Sequence, residues 1–431
     1  MDLSPADLVA LMQSATPHAV LDLRERAAYE RGHIFRTTSL PRRLLEFRLP
    51  VLVTAAATPI VLVDDDGRLA ALAAPTLAAL GYRDVRTLAG GLAAWRAAGL
   101  PTVQGINVPS KVFGERALHQ AKTPQISAPE LAARIARGVE MVIVDSRTFE
   151  EYARGCVPGA ISVPGGELVL RIADLVSRPD TPIVVHCGGR TRSYIGAESL
   201  RRMRLPNPIV ALENGTMGWD LAGLTLERGA TRRAPAPSAR SRAAASLVAK
   251  RVASEDGITF TTAAELEALI ERRSHVWAPG GQAVQATDEY VAVRAAAIVL
   301  VCDGFVRSVM TTSWLKRMGL PNVSVLAGGL PAWKEAGGAV ATGHPAVEPH
   351  GGQRALSSVP SVGPGRLDGA TTLSVDTSDV YARGHVPGAV WVCRSRLEWR
   401  IAEIVPSRAA SIVTTCTDGW QSRLAAATLH G

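Results

Sequence analysis

A cysteine between an apolar strand and a helical segment is the most chemically suggestive feature of the 431-residue sequence. Residues 183–186 are typical of a β-strand and run straight into Cys187, after which a short loop of glycine and arginine leads into a helical pattern. Three features at such a position favour a thiolate over a thiol. They are the backbone N–H groups at the start of the helix, the positive end of the helix dipole and the two arginines of the loop. The loop therefore predicts a nucleophilic sulfur in a cradle suited to an anion or a persulfide.

The loop reads Cys187-Gly188-Gly189-Arg190-Thr191-Arg192, followed by Ser193. Its two glycines let the backbone curl around the sulfur without clashes from a Cβ atom. His186 precedes the cysteine on the strand, so its side chain is expected to point away from the loop face. We interpret His186 as a packing or hydrogen-bonding residue and not as a general base.

The other cysteines predict no disulfide framework and no metal site. The five cysteines are odd in number, far apart and without a Cys-x-x-Cys pair, which favours a reducing compartment and a cytoplasmic location. The formal net charge is +8, but aromatic residues make up only 5% and are not interleaved with a basic patch, so no nucleic-acid partner is expected. We expect no signal peptide and no membrane span. The sequence leaves the oligomeric state open.

A regular spacing indicates one structural unit repeated four times. Three tryptophans follow the loop position by 31, 31 and 32 residues, in the pairs Asp64–Trp95, Cys302–Trp333 and Cys187–Trp219. The loop positions are preceded 23 residues upstream by Pro41, Pro279, Pro164 and, for Cys416, Cys393. Each repeat alternates helices and strands, which predicts an α/β fold of tandem domains. Each domain would have a central parallel sheet flanked by helices on both faces, with its site at the carboxyl ends of the strands.

Only repeat 2 combines the cysteine loop with both the segment before it and the tryptophan segment after it. Repeat 1 has Asp64 at the cysteine position, and repeat 3 passes from a predicted helix at 262–273 almost directly to Pro279. Repeat 4 ends before its closing strand and tryptophan helix, so we expect it to be truncated or degenerate. The predicted boundaries are 1–102, 125–228, 258–342 and 367–431 for repeats 1 to 4, with flexible linkers at 229–257 and 343–366.

The sequence resembles the rhodanese family of sulfurtransferases, in its multi-domain bacterial form. The resemblance lies in "VDSRTFEEYARGCVPGAISVP" (144–164), "IVVHCGGRTRS" (183–193) and "ENGTMGW" (213–219), which occur together and in order. It implies tandem rhodanese-like domains and a persulfide carried on Cys187. Thiosulfate or a similar small anion would be the donor and cyanide or a thiol the acceptor, with no cofactor.

The resemblance also implies roles for single residues. Arg190 and Arg192 would hold the anionic donor, because arginine forks suit sulfur oxyanions, and Asp145 and Arg147 would tie the end of the first strand to neighbouring loops. The predicted active-site loop comprises Gly188, Gly189, Arg190, Thr191, Arg192 and Ser193.

Each of the four repeats departs from the family pattern at some position. Repeat 1 is expected to be silent because of Asp64. In repeat 3, Cys302 and Arg307 form a candidate second site, but Asp303 beside the thiol opposes ionisation. Cys416 is expected to be inactive. Repeat 2 itself has two departures outside the loop, namely Cys156 in place of a histidine and Asn214 in place of the first glycine of a pair.

Two alternatives stay open at this point. Phosphatases of the same fold need a Cys-x5-Arg loop that is wide enough for phosphate. Here the last arginine falls at Cys-x4-Arg, and the tighter ring favours a sulfane sulfur. The second alternative is a non-catalytic set of binding or regulatory modules, because three of the four repeats are altered.

Overall fold

The computed structural model describes residues 2–270, 278–343, 348–363, 365, 367 and 369–430. The chain forms two compact units, one of Met1–Gly105, Ala292–Arg294 and Thr342–Gly431, and the other of Ile106–Val291 and Ala295–Ala341. The first unit contains repeats 1 and 4, and the second contains nearly all of repeats 2 and 3. None of the helices in these described ranges is long and apolar enough to cross a membrane.

The helices and strands alternate along the chain as predicted. The elements up to the second repeat are β1 (Asp2–Leu3), α1 (Pro5–Gln13), β2 (His18–Asp22), α2 (Arg26–Arg31), β3 (Thr38–Ser39), α3 (Leu45–Leu52), β4 (Ile60–Val63), α4 (Arg68–Ala79), β5 (Val85–Leu88), α5 (Gly91–Ala97) and α6 (Val108–Ala121). Those from the second repeat to the connection after it are β6 (Gln125–Ile126), α7 (Ala128–Ala136), β7 (Val142–Asp145), α8 (Phe149–Arg154), β8 (Ile161–Ser162), α9 (Leu168–Leu175), β9 (Ile183–His186), α10 (Thr191–Arg201), β10 (Ile209–Leu212), α11 (Gly215–Leu221) and α12 (Ala239–Glu255).

The second half of the chain continues the pattern in shortened form. Its elements are β11 (Thr259–Thr261), α13 (Ala263–Ile270), α14 (Gly280–Gln285), α15 (Thr287–Tyr290), β12 (Val293–Arg294), β13 (Ile298–Leu300), α16 (Val306–Arg317), β14 (Val323–Leu326), α17 (Gly329–Glu335), α18 (Gly352–Ser358), β15 (Thr371–Ser374), α19 (Ser378–Arg383), β16 (Val390–Trp391), α20 (Leu397–Ile404), β17 (Ile412–Thr415) and α21 (Trp420–His430). Short 3₁₀ helices precede α3, α9 and α20.

Repeat 2 has a five-stranded parallel sheet in the order β6-β10-β9-β7-β8. Repeat 1 has the same order, β1-β5-β4-β2, with β3 also on β2, and β12 adds to β2 as the antiparallel strand of this sheet. The central strands β4 and β9 are buried at every residue, because helices cover both faces of the sheet. The sheet of repeat 3 (β11-β14-β13) corresponds to strands β6-β10-β9 of repeat 2. The sheet of repeat 4 (β16-β15-β17) corresponds to strands β8-β7-β9 of repeat 2.

The recurring tryptophans have a common structural role. The indole N–H of Trp219 donates to the carbonyl oxygen of Thr225 at 3.0 Å. The indoles of Trp95 and Trp333 donate in the same way to the carbonyl oxygens of the residues six positions further on, both at 2.9 Å. Trp219 is also buried in the core beneath one face of the sheet. The regular spacing therefore reflects a helix that packs on the sheet and anchors the chain after it.

Within each compact unit the two repeats meet through the same segment, the one that follows the Pro41, Pro164, Pro279 or Cys393 position. In the first unit Arg42 pairs with Glu398 and Arg394 pairs with Glu46. In the second unit the backbone at 165–166 lies against the backbone at 280–281, where glycines permit the close approach.

The prediction of flexible linkers is wrong for 229–257. Residues Ala239–Glu255 form the 17-residue helix α12, which packs against α9 and α16. Its buried residues repeat at helical spacing and form a stripe of small apolar side chains at Ala245, Val248, Ala249, Val252 and Ala253. The alanine-rich and arginine-rich composition concealed this periodicity.

The predicted linker at 343–366 also contains a helix, α18, which packs on α21. Some residues covered by the predictions lie outside the described residues. They are residues 344–347, 364 and 366 of that linker, the residue at 368 and Gly431 of repeat 4, and the last three residues of the helix predicted at 262–273.

An ionic cluster joins the helices of the second unit at the end of α12. Asp256 accepts hydrogen bonds from Arg202 at 2.7 Å, from Arg317 at 2.9 Å and from Ser313. Burial alone would raise the pKa of Asp256, but these hydrogen bonds outweigh burial, so that its pKa lies below the ordinary value.

We expect Asp256→Asn to lower the free energy of unfolding by about 1–3 kcal/mol at pH 7. Because the pKa of Asp256 is lower in the folded than in the unfolded protein, its stabilisation is complete above the unfolded value of about 4 and is lost as the pH falls below it. Urea unfolding of both proteins at pH 7 and pH 3 measures this. A difference between the two proteins that is the same at both pH values would contradict the prediction.

Candidate functional site

Cys187 lies at the carboxyl end of β9, immediately before the loop that leads into α10. Its side chain is buried, with only 2% of its surface exposed. Its Sγ accepts a hydrogen bond from the Gly189 N–H at 3.4 Å and lies 3.5 Å from the Ser193 hydroxyl oxygen. The N–H groups in the first turn of a helix have no partner within the helix. The thiol therefore sits where β9, the loop and the start of α10 can supply several donors to one anion.

Backbone N–H groups at the start of α11 donate hydrogen bonds to carbonyl oxygens of the same loop. The Thr216 N–H donates to the Cys187 carbonyl oxygen at 2.8 Å, and the Met217 N–H donates to the Gly188 carbonyl oxygen at 3.1 Å. Gly215 makes this approach feasible, because it has a φ of +55° and a Cβ atom there would lie 2.2 Å from the Cys187 carbonyl oxygen. The sequence motif around Gly215 thus fixes the loop, a role that the motif spacing alone does not reveal.

Asp145 and Arg147 lie side by side at the end of β7. Arg147 donates to both carboxylate oxygens of Asp145 and to the carbonyl oxygen of Gly155 in the next loop. Its Cδ atom also lies 3.7 Å from the place where a Cβ atom on Gly188 would be. His186 is fully buried, with its Nε2 3.7 Å from Asp145, and burial lowers the pKa of His186. His186 is thus a buried side chain next to Asp145, at the strand position directly before Cys187.

Arg192 has a carboxylate partner that lies far from it in the sequence. Its guanidinium binds both carboxylate oxygens of Glu151 on α8, at 2.7 and 2.8 Å, and is mostly buried. Glu151 also closes a capping box with Thr148, which is the local signal that could have drawn attention to it. In this structure Arg192 therefore braces the loop against α8, and a donor would have to compete with Glu151 for it.

Arg190 differs from Arg192 because its side chain is 52% exposed. Its Nε donates to the side-chain oxygen of Asn214 at 2.7 Å, and one terminal nitrogen donates to Glu115 at 3.0 Å. The two loop arginines, for which the sequence predicts the same role, thus occupy different environments. The side chain of Arg190 is half exposed to solvent, whereas that of Arg192 is mostly buried.

In repeat 1 the N–H groups of the equivalent loop bind a carboxylate, the side chain of Asp64. The carboxylate of Asp64 accepts hydrogen bonds from the N–H groups of Gly67, Leu69 and Ala70 at 2.5, 2.6 and 3.1 Å. Burial raises the pKa of Asp64 above its ordinary value, although these N–H donors act in the opposite direction. The side chain of Asp64 thus occupies the cradle of its own loop.

We expect Asp64→Ala to lower the free energy of unfolding by about 1–3 kcal/mol, because it leaves three N–H donors without their acceptor, and those of Leu69 and Ala70 are buried. The exposed neighbour Asp66, replaced in the same way, is the matched control and should cost less than about 0.5 kcal/mol. Equilibrium denaturation measures both. If both substitutions lowered the free energy of unfolding equally, the loop N–H groups would not stabilise the protein by binding the carboxylate of Asp64.

The loops of repeats 3 and 4 differ from that of repeat 2. Cys302 is partly exposed and lies 3.2 Å from the Ser308 hydroxyl oxygen, while Arg307 is engaged by Asp303 and by Glu167. The thiol of Cys416 donates to Asp418, and burial raises the pKa of Cys416. No cluster of metal-binding side chains occurs in the described part of the chain.

Comparison with known proteins follows the repeat pattern. Residues 4–98, 127–222 and 263–336 each match the family model of the rhodanese-like domain, and repeat 4 lies outside these segments. A thiosulfate sulfurtransferase from Pseudomonas aeruginosa has a similar structure, with a TM-score of 0.86 and 36% identity, over 99% of this chain and 84% of that protein.

Curated relatives match over single domains. An HTH-type transcriptional regulator of Mycobacterium tuberculosis is 37% identical over 106 residues, which are 24% of this chain and 45% of the regulator. A sulfurtransferase of Allochromatium vinosum is 26% identical over 102 residues, which are 24% of this chain and 92% of that protein. The chain spans about half the length of the first curated relatives it matches.

Proposed function

Because the chain belongs to the rhodanese family, we propose that it is a sulfurtransferase in which Cys187 of repeat 2 carries the sulfur. The donor is thiosulfate or a related small anion, and the acceptor is cyanide or a thiol. The name of the Pseudomonas aeruginosa neighbour supports thiosulfate as the first donor to test. Repeat 1 serves as scaffold, because Asp64 stands at the position of the cysteine.

The reaction has two half-cycles. In the first, the Cys187 thiolate attacks the outer sulfur of thiosulfate, a new S–S bond forms, the S–S bond of thiosulfate breaks, and sulfite leaves with the electron pair. In the second, cyanide attacks the outer sulfur of the persulfide, thiocyanate leaves, and the Cys187 thiolate is restored. Loop N–H groups stabilise the negative charge on sulfur in both half-cycles.

The observation that carries this proposal is the environment of the Cys187 sulfur. It receives the Gly189 N–H and lies at the start of α10. The equivalent loop of repeat 1 holds the carboxylate of Asp64 through three N–H groups, so this loop type in this chain is suited to an anion. A persulfide anion on Cys187 would meet the same kind of donors.

Steady-state formation of thiocyanate from thiosulfate and cyanide tests the proposal. We expect saturable turnover by the intact chain, with sulfite as the co-product. A chain that makes no thiocyanate and takes up no sulfur from thiosulfate would refute the proposed reaction and leave the tandem binding modules as the better account.

A further inference from the structure

The ion pair between Arg190 and Glu115 has no counterpart in the other three loops. The positions equivalent to Arg190 are Gly67, Phe305 and Gly419, so repeat 2 alone carries an arginine there. This arginine lies three residues after Cys187 and is held from two sides, by Glu115 at 3.0 Å and by Asn214 at 2.7 Å.

Asn214 accepts an unfavourable backbone conformation at this position. Its φ is +56°, whereas the equivalent residues of repeats 1 and 3 are Gly90 and Gly328, with φ of +67° and +71°. Asparagine is among the few residues that tolerate this region, but glycine adopts it more readily. The side-chain oxygen of Asn214 accepts a hydrogen bond from Nε of Arg190. A glycine at this position has no side chain to make that contact.

Glu115 comes from α6, which lies outside the segments that match the family model. This helix packs closely on the start of α10, since a Cβ atom on Gly114 would lie 2.9 Å from the Thr191 hydroxyl oxygen and 3.0 Å from its Cα atom. The close approach fixes the backbone beside Glu115 next to the Cys187 loop. The segment between two family domains thus contributes a carboxylate to the candidate site.

We propose that Arg190 is an exchangeable clamp that selects anionic sulfur donors. In the resting protein Glu115 neutralises Arg190. An incoming sulfur oxyanion displaces Glu115 from the terminal nitrogen of Arg190, while Asn214 keeps Nε at the loop. Glu115 then sets how strongly the site favours a dianion over a monoanion, and Asn214 positions the clamp. This inference rests on the proposed sulfur transfer by Cys187.

The test compares thiosulfate, a dianion, with methanethiosulfonate, a monoanion, as donors to the full chain. Glu115→Gln keeps an acceptor oxygen but removes the charge, so we expect KM for thiosulfate to fall about 3- to 10-fold at low ionic strength, with kcat within about twofold. The effect should be smaller for methanethiosulfonate and should fade at about 0.5 M salt. Asn214→Gly should raise KM for thiosulfate about 3- to 10-fold without loss of stability, because glycine suits the positive φ.

Two controls separate this clamp from a general charge effect. Glu130→Gln also removes one carboxylate, but Glu130 pairs with Arg134 and not with the loop, so KM should not change. In an Arg190→Gln background the effect of Glu115→Gln should vanish, because the two residues act through one contact. An active wild type whose KM for thiosulfate is unchanged in both Glu115→Gln and Asn214→Gly overturns the clamp and leaves sulfur transfer intact. No turnover of either donor by the wild type overturns both.

Discussion

Replacing Cys187 with serine abolishes thiocyanate formation from thiosulfate and cyanide, with a loss of more than about 1000-fold in kcat/KM. The hydroxyl of serine is similar in size to the thiol, so the loop and the buried contacts of Cys187 persist. It cannot form a persulfide, however, and the double-displacement route is closed. The comparison of initial rates of wild type and Cys187→Ser at saturating cyanide measures the effect.

Cys302→Ser is the matched control for this prediction. It makes the same chemical change at the equivalent position of repeat 3, where Arg307 is engaged by Asp303 and Glu167. We expect it to retain more than about half of the wild-type rate, because Cys302 does not carry the transferred sulfur in the proposed reaction. Thermal unfolding checks that both variants are folded. Activity that survives in Cys187→Ser but disappears in Cys302→Ser would move the site to repeat 3.

Replacing Gly215 with valine should be the most damaging change that leaves the thiol in place. A Cβ atom at Gly215 would lie 2.2 Å from the Cys187 carbonyl oxygen and 2.8 Å from that of Gly189, and both are backbone atoms that cannot rotate away. We expect kcat/KM to fall on the order of 100-fold, because the loop must move to make room. The free energy of unfolding should fall by about 2–4 kcal/mol from steric overlap and from the positive φ.

Gly223→Val separates the steric effect from the backbone effect. Gly223 follows the same helix, α11, and has a φ of +72°, but no atom lies within 4 Å of a Cβ atom there. This variant should therefore lose about 1–2 kcal/mol of stability from the backbone alone and keep its activity. Should both variants retain normal turnover, the contact of Gly215 with the loop would have no bearing on catalysis.

The family and the tandem α/β fold could be predicted from the sequence, and both are confirmed. The reason is that the decisive signals are local. The strand before Cys187, the glycines of its loop and the Trp219 helix each depend on residues within a few positions of one another.

Partners that lie far apart in the sequence could not be predicted. Glu151 lies 41 positions before Arg192, and Glu115 lies 75 positions before Arg190. Their pairing depends on how α8 and α6 pack against the loop, and a sequence of one chain contains no local sign of that packing. For the same reason the sequence predicts one role, binding of the donor, for both Arg190 and Arg192. The fold places these two side chains in different surroundings.

Helix α12 was missed for a different reason. Its alanines and arginines resemble a linker by composition, and the helical stripe that covers α9 and α16 becomes visible only when spacing is considered. Small side chains such as Ala245 and Ala249 carry little hydrophobicity each, so they signal burial weakly in the sequence although they are fully buried in the fold.

A single-turnover experiment without acceptor tests the persulfide on Cys187 most directly. The intact chain is mixed with thiosulfate, the released sulfite is counted, and the extra sulfur is located by mass spectrometry of peptides that contain Cys156, Cys187, Cys302, Cys393 or Cys416. We predict one sulfite per chain and one added sulfur on the Cys187 peptide. Release of no sulfite, or an added sulfur on any other cysteine in place of Cys187, would contradict the account.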